Sequence, residues 1–300
     1  MSHPNQDEFE KSADDLNEEG LDYFNNKRFK EALECFKSAA SLDPSQPSYQ
    51  KNIAETYYRL GEIQKSISHY QRAIWLDQER ADFYNELGLI YLNQNQLRKA
   101  LTMFRKAARL EPENVHFAEN EANILRKMKE FHQALRLYKR LQRQFPDTPK
   151  IINGIGACHF GLGSYAQAIP YFQLAYDLDP ENYFYLQNLA DAYRNELDYD
   201  QAIIEYEKLL EKTPGDDLSW NFLGICYLQR EDPRAAKKAF KKAIEIDGKN
   251  GHYWINLGNA FRVTGNYRSA IGAYTKARKS FQFNPYRSEE RRVGKECRSR

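Results

Sequence analysis

The amino-acid sequence predicts an all-α protein, an α-solenoid of sixteen helices stacked as antiparallel pairs. Three observations predict it. A 34-residue period runs without a gap from Ala13 to Asn284, which makes eight blocks in a chain of 300 residues. Each block holds two stretches of apolar residues at helical spacing. Five of the eight blocks place a proline just after the second stretch.

Counting places from the start of each block, the first helix rests on apolar residues at 4, 7, 8 and 11, as in Tyr84, Leu87, Gly88 and Tyr91. That spacing puts them on one face. The second helix rests on places 20, 24 and 27, as in Ala100, Phe104 and Ala107. Place 8 is always small: Gly20, Ala54, Gly88, Ala122, Gly156, Ala190, Gly224 and Gly258. Place 20 is small too: Ala32, Ser66, Ala100, Ala134, Ala168, Ala202, Ala236 and Ala270. Small residues on both helices allow close approach, and the aromatic at place 24 packs beside that contact. Place 27 is Ala39, Ala73, Ala107, Leu141, Ala175, Leu209, Ala243 and Ala277. Pro44, Pro112, Pro146, Pro180 and Pro214 stand at place 32, where proline ends a helix and turns the chain. Gln78, Gly248 and Gln282 depart there; Gly248 still breaks a helix, and the two glutamines leave those turns less well marked. One such pair cannot bury its apolar face alone, so neighbours stack into a continuous core.

In this small–aromatic–small–proline pattern the sequence resembles the tetratricopeptide repeat family over about nine-tenths of its length. The resemblance implies a right-handed superhelix of eight repeats at 13–46, 47–80, 81–114, 115–148, 149–182, 183–216, 217–250 and 251–284. It also implies that first helices line a concave groove, with places 2, 5, 6, 9, 12 and 13 facing it, and that the groove binds protein.

Composition agrees with a soluble, cytoplasmic-type chain. Apolar residues are 41% and charged residues 29%, and mean hydropathy is −0.81. No run approaches the ~18 apolar residues a membrane helix needs. Residues 1–12 are polar and net acidic, without a secretory signal, and are expected to be disordered. Four cysteines without a CxxC exclude a disulfide framework and argue against a zinc ribbon.

The charge of the chain lies largely in its end. Residues 287–300 read RSEERRVGKECRSR, with six basic and three acidic side chains; subtracting them from 44 and 42 leaves 38 basic against 39 acidic. The segment has no apolar periodicity and is similar to the in-frame translation of a short-read sequencing adapter. The expectation is that 285–300 is an assembly artefact and that the natural chain continues differently beyond about Tyr286. A natural basic tail for nucleic acid or anionic surfaces is the disfavoured alternative.

A 68-residue period underlies the 34-residue one. Place 24 is Phe36, Phe104, Phe172 and Phe240 in odd blocks, and Tyr70, Tyr138, Tyr206 and Tyr274 in even blocks. Place 9 is Leu21, Leu89, Ala157 and Ile225 in odd blocks, and Glu55, Asn123, Asp191 and Asn259 in even ones. Place 12 is Phe24, Leu92, Phe160 and Leu228 against Tyr58, Arg126, Arg194 and Arg262. Two readings stand: a two-repeat working unit, or the bare trace of duplication.

Every block also carries one asparagine at place 5 or 6 of its first helix. Odd blocks supply Asn17, Asn85, Asn153 and Asn221, and even blocks supply Asn52, Asn120, Asn188 and Asn256. An amide side chain offers donors and an acceptor together, so it can pair with the backbone of an extended peptide. Asparagine ladders of this kind grip peptide backbones in related α-solenoids, including the repeat region of O-GlcNAc transferase. The competing reading is asparagines that are merely solvated. Each bond nets roughly 0.5–1.5 kcal/mol, so eight give about 8 kcal/mol against an association cost of ~4–15 kcal/mol. Affinity must therefore also come from side-chain pockets, with the apolar places 9 and 12 of odd blocks as candidates. First helices about 10 Å apart are spanned by about three extended residues, so anchors are expected about six residues apart. Arg126, Lys150, Arg194 and Arg262 make the later groove more basic, suited to an acidic stretch of ligand.

A two-carboxylate clamp for heat-shock chaperone tails does not assemble. The family pattern needs Lys and Asn at places 5 and 9, Asn at place 6 of the next block, then Lys and Arg at places 2 and 6 of the third. The first register offers Asn17, Leu21, Asn52, Asp82 and Glu86; the second offers Lys51, Glu55, Glu86, His116 and Asn120. Catalytic constellations fare no better. The glycines between Gly154 and Gly163 fall inside a helical block with no preceding strand, so they are no dinucleotide loop. Cys158 and Cys226, at place 10, read as small buried residues. His159 stands where Tyr is usual and reads as a core histidine, while His116 and His252 lie far apart along the array. No set has metal or triad spacing, so no enzyme activity, cofactor, metal, nucleic acid or membrane partner is expected.

Two functions remain. One is a stand-alone interaction scaffold. The other is the substrate-recruiting arm of a larger enzyme, for example a glycosyltransferase, cut at its C-terminus. Without a polar cap, Ile271, Tyr274 and Ala277 on the last helix are expected to present an exposed apolar face.

Overall fold

The computed structural model describes residues 11–282, and every regular element among them is an α-helix. The helices alternate between a first-type helix of 13 residues and a second-type helix of 14. The first four pairs are α1 (Ala13–Asn25) and α2 (Phe29–Leu42), α3 (Pro47–Arg59) and α4 (Ile63–Leu76), α5 (Ala81–Asn93) and α6 (Leu97–Leu110), and α7 (Val115–Lys127) and α8 (Phe131–Gln144). Four more follow: α9 (Pro149–Gly161) and α10 (Tyr165–Leu178), α11 (Tyr183–Asn195) and α12 (Tyr199–Lys212), α13 (Asp217–Gln229) and α14 (Pro233–Ile246), and α15 (Gly251–Val263) and α16 (Tyr267–Gln282). The last helix runs longer, to 16 residues. Helix therefore begins at places 1 and 17 of every 34-residue period.

The chain divides into two compact units, Met1–Leu137 and Tyr138–Arg300, with the division inside α8. Within each unit successive helices pack on one another as antiparallel neighbours. The close approach expected at place 8 is present in both. A Cβ added to Gly20 or Gly88 would sit 2.6 Å from the Phe36 ring or 2.8 Å from the Phe104 ring in the first unit. In the second, Gly156, Gly224 and Gly258 stand in the same way against Phe172, Phe240 and Tyr274, at 2.8, 2.6 and 2.5 Å. The place-20 residues Ala32, Ala100, Ala168, Ala202 and Ala236 are fully buried on the opposing helix.

The turn inside each pair is closed by a left-handed residue at place 15. Lys27, Gly61, Asn95, Lys129, Gly163, Leu197, Glu231 and Gly265 all have φ between 55° and 80°. The next amide then reaches back to a carbonyl one turn earlier, as when Arg28 N–H donates to Tyr23 C=O at 2.8 Å and Glu62 N–H to Tyr57 C=O at 2.9 Å. This satisfies carbonyls that the helix end leaves open. Five of the eight residues are not glycine, so the geometry of the pair imposes αL on side chains that pay for it locally.

The turn between pairs does not depend on proline. α4 ends at Leu76 although Gln78 occupies the proline place. Asp77 substitutes for it: its carboxylate accepts from Glu79 N–H at 3.0 Å. Asp43 and Asp247 do the same for Ser45 and Lys249. A short acidic side chain that mimics a backbone turn stops the helix as well as a ring does.

At the start of the chain, Ser12 caps α1: its Oγ accepts from Asp15 N–H, and the Asp15 carboxylate accepts from Ser12 N–H. Lys11 pairs with Glu19 at 2.7 Å. Residues 1–10, which make up most of the segment expected to be disordered, and the adapter-like tail lie outside the described residues. On α16, Ile271 is exposed as expected, but Ala277 is buried and Tyr274 is half-buried with its hydroxyl bonded to Asn259. The apolar face expected there is thus reduced to Ile271 and Tyr267, because places 24 and 27 are consumed by packing against α15.

Candidate functional site

The asparagines of the first-type helices meet in pairs. Asn52 Nδ2 donates to Asn17 Oδ1 and Asn120 Nδ2 to Asn85 Oδ1 in the first unit, each at 2.8 Å. In the second unit Asn188 Nδ2 donates to Asn153 Oδ1 and Asn256 Nδ2 to Asn221 Oδ1, again at 2.8 Å. In all four the even residue is the donor and lies 35 positions after its acceptor. The offset by one place, 5 against 6, is what lets two neighbouring helices bring these amides face to face. Asn52 and Asn221 are buried, and the other six are half-buried. Four coupled stations therefore stand where the sequence suggested eight separate rungs.

Each pair consumes one N–H and one carbonyl lone pair. The remaining amide hydrogens and the even residue's own carbonyl are still able to bond. Around the second station in the first unit, Asn85 Nδ2 also reaches Glu86 Oε1 at 3.3 Å. Burial pushes the Glu86 carboxyl up from the usual range, the Asn85 amide acting in the opposite direction.

The alternation at place 24 has a chemical cause. In the second unit the Tyr206 hydroxyl donates to Asp191 Oδ1 at 2.5 Å, and the Arg194 Nε–H donates to the same hydroxyl at 3.0 Å. Arg194 Nη2 closes the triangle on Asp191 at 3.0 Å, and its guanidinium lies 4.3 Å over the Phe222 ring. The Tyr274 hydroxyl likewise donates to Asn259 Oδ1 at 2.8 Å. A buried phenol needs a partner, and in these two blocks the polar place 9 supplies one. Where place 9 is apolar, place 24 is Phe. In these two blocks the residues at places 9 and 24 are thus matched.

The three arginines have different surroundings. Arg194 is committed to the Asp191–Tyr206 network. Arg126 is half-buried, and its Nε–H is buried without a hydrogen-bond partner. Arg262 is exposed. Among the odd-block apolar places, Leu21 is exposed, while Phe24, Leu89, Leu92, Ala157, Phe160, Ile225 and Leu228 are partly buried against the cores of their units. They offer less free surface than the sequence suggested. Two exposed apolar side chains it did not single out are Phe184 and Leu218, 57% and 48% exposed at place 2 of consecutive blocks in the second unit. Place 2 elsewhere is Asp14, Ser48, Asp82, His116, Lys150 and His252, so the signal was a break in a polar column.

The groups weighed for catalysis are otherwise engaged. His159 is buried and stacked on Tyr171 with ring centroids 5.6 Å apart; burial holds its pKa below the usual imidazole value. Cys226 is buried and its thiol is pushed up to about 12 by that burial. Cys158 is buried as well, and His252 packs edge-on against Phe281. Among the described residues no three His, Cys, Asp or Glu side chains cluster as metal ligands. None of the described helices is long and apolar enough to cross a membrane.

Comparison with known proteins agrees with the repeat geometry. Tetratricopeptide repeat models match residues 81–114, 119–183, 159–226 and 227–285, and a TPR repeat model matches 20–61 and 54–95. Among curated proteins, the BBSome complex member bbs-4 of Caenorhabditis elegans is 25% identical over 126 residues, 42% of this chain and 27% of that protein. The anaphase-promoting complex subunit cut9 of Schizosaccharomyces pombe is 32% identical over 74 residues, 25% of this chain and 11% of cut9. The heat-shock protein cognate co-chaperone sgt12 of Aspergillus fumigatus is 31% identical over 87 residues, 29% of this chain and 26% of its own. The chain thus spans about a quarter or less of the length of these relatives.

Among solved structures, the C-terminal part of a TPR repeat-containing protein from Cytophaga hutchinsonii superposes with a TM-score of 0.65 at 19% identity, covering 80% of this chain and 98% of that one. A tetratricopeptide repeat protein from Parabacteroides merdae gives 0.63 at 15% identity, covering 86% and 98%. At these identities the likeness is one of fold. Proteins of this kind are typically interaction scaffolds, and by its repeats this chain belongs to the tetratricopeptide repeat family.

Proposed function

We propose that the protein is an interaction scaffold that holds an extended segment of a partner against the first-type helices of a unit, with that unit's two asparagine pairs as grips on the partner's backbone. The observation that carries this reading is the pairing itself. Each amide is fixed by its neighbour before any ligand arrives, so little side-chain entropy is lost on binding, and preorganisation of this kind raises affinity without adding contacts. A pair still presents donors and an acceptor side by side, which matches the N–H and C=O of one extended residue.

Stations recurring at every second repeat favour ligand anchors about six residues apart, since two helix spacings of about 10 Å equal roughly six extended residues. Phe184 and Leu218 give the second unit an apolar contact for such an anchor. The exposed Arg262 favours a carboxylate in the ligand at its station. Arg194 contributes less, because it already neutralises Asp191. The relatives named as subunits or co-chaperones agree with a scaffold rather than an enzyme.

The test is a peptide selected from a random extended library against the full chain. Alanine at Asn120, Asn188 and Asn256 together should weaken its capture at least tenfold. Unchanged binding of every selected peptide would discard the asparagine grips while leaving a scaffold role intact.

A further inference from the structure

On α13, about 100° around the helix from Asn221, lies a second feature that peptide binding does not use. A cavity of about 580 Å³ runs along α13 between α12 and α14. Trp220 and Tyr227, seven residues apart on α13, line it together with Glu207 and Glu211 of α12 and Ala235 and Lys238 of α14.

Several of the equivalent rings elsewhere in the protein carry a lysine of their own, although Tyr193 at place 11 carries none among the described residues and Tyr23 carries Arg28. At place 11, Tyr57 has Lys65 at 5.2 Å and Tyr91 has Lys99 at 5.3 Å, both lysines coming from place 19. At place 4, Tyr84 has Lys106 at 5.8 Å and Trp254 has Lys276 at 4.3 Å, both from place 26. In the seventh block both sources are missing. Place 19 is Ala235, and the place-26 lysine, Lys242, pairs with Glu245 at 2.9 Å. Among the described residues no lysine or arginine lies over Trp220 or Tyr227. The charge lining the cavity has also changed sign. Two carboxylates flank the rings against one exposed lysine, Lys238, and the Tyr227 hydroxyl donates to Glu207, which holds that carboxylate at the rim.

We propose that this cavity is a site for a lysine side chain supplied by a partner protein, its ammonium seated over Trp220 and Tyr227 and facing Glu211. Two aromatic faces and an uncommitted carboxylate form the environment that stabilises a partly desolvated cation. Ala235 leaves open the path that Lys65 and Lys99 occupy in their own repeats. The ligand is an alkylammonium because the cations over the rings at places 4 and 11 of other repeats are lysines in every case but one, Arg28 over Tyr23. The site stands apart from the asparagine pairs and does not depend on them.

The experiment uses the full chain with its three tryptophan indoles labelled with ¹⁵N. Butylammonium, butylguanidinium and neutral 1-pentanol are titrated at constant ionic strength. Trp220 Nε1–H is held by the Pro214 carbonyl at 3.0 Å, so its resonance reports on the ring and not on solvent exchange. Butylammonium should shift the Trp220 indole saturably and leave Trp254, covered by Lys276, and Trp75, with Arg72 at 4.1 Å, in place. Ala235→Lys, which installs the missing internal lysine, and the exposed Glu211→Gln should each weaken that response at least tenfold. An equal response to 1-pentanol, a stronger one to butylguanidinium, movement of all three indoles, no movement, or unaltered binding in folded Glu211→Gln would each overturn the assignment.

Discussion

Asn52 and Asn17, 35 residues apart in sequence, are joined by a 2.8 Å hydrogen bond between neighbouring first-type helices, and three further asparagine pairs repeat it. The bond makes each pair a contact between two helices. Asn221, 6% exposed, and its donor Asn256 are the sharpest case. Asn221→Ala leaves the Asn256 amide without its acceptor, and the cost should be about 1–3 kcal/mol. Adding Asn256→Ala should cost little more, because the two act as one unit. Hydrogen exchange of α13 and α15 amides reads this locally; additive losses would mean that the pair is not coupled.

The Asp191–Tyr206–Arg194 triangle and the Tyr274–Asn259 bond give tyrosine at place 24 a polar partner from place 9 in two of the even blocks. Tyr206→Phe removes two hydrogen bonds from a carboxylate and a guanidinium that are each mostly buried, leaving their direct ion pair, and should destabilise α11 and α12 by about 1–3 kcal/mol. The reciprocal change, Phe240→Tyr, inserts a phenol opposite Ile225 with no polar place-9 partner, and should also destabilise. Thermal melts of both variants check the pairing rule, and a neutral Phe240→Tyr would contradict it.

Much of this was legible in the sequence. Small residues such as Gly224 and Ala236, the aromatic at place 24 and the prolines state the period openly, since each answers to a contact inside one helix pair. The αL residue at place 15 was hidden, because Lys27, Leu197 and Glu231 give no glycine signal; packing of the two helices forces that conformation. The asparagine pairs were half legible. Their places were evident, but whether amides one helix apart would meet depends on the stagger of the helices, which spacing alone does not give. The pocket role expected of Phe160 and Leu228 was overstated because the same residues also serve the core.

Two substitutions should stabilise the fold. Leu197 is 67% exposed with φ 68°, so Leu197→Gly relieves a left-handed residue at small loss of burial. The gain should be about 1 kcal/mol. Ser66, at place 20, is fully buried, and its hydroxyl has no partner. Ser66→Ala removes that group and restores the residue found in the other seven blocks, with a gain of about 1 kcal/mol or more. A fall in melting temperature for either would contradict the stated cause.

Acid should weaken the protein through His159, which is buried, and His69, which is half-buried. Burial, and then Lys139, hold the His159 pKa below the ordinary value; burial and Lys37 do the same for His69. At pH values between the folded and unfolded pKa the unfolded chain binds more protons, so stability rises with pH there. The contribution is full above the unfolded value of about 6.5 and is lost as pH falls through the folded one. His159→Tyr, which installs the residue of Tyr57, Tyr91, Tyr193 and Tyr227, should flatten the stability-against-pH curve below about pH 6.5. An equally steep acid limb would assign the loss to other groups.

If paired asparagines hold a peptide by its backbone, ester substitution in the ligand should reveal it. A selected peptide is remade with single backbone N–H groups replaced by ester oxygen along its length, and Kd is measured for each against the full chain. The account predicts weakening of roughly tenfold at positions recurring about every six residues, and the loss should vanish in the chain carrying alanine at Asn120, Asn188 and Asn256. A flat Kd along the whole series, in a peptide that binds through its side chains alone, would contradict it.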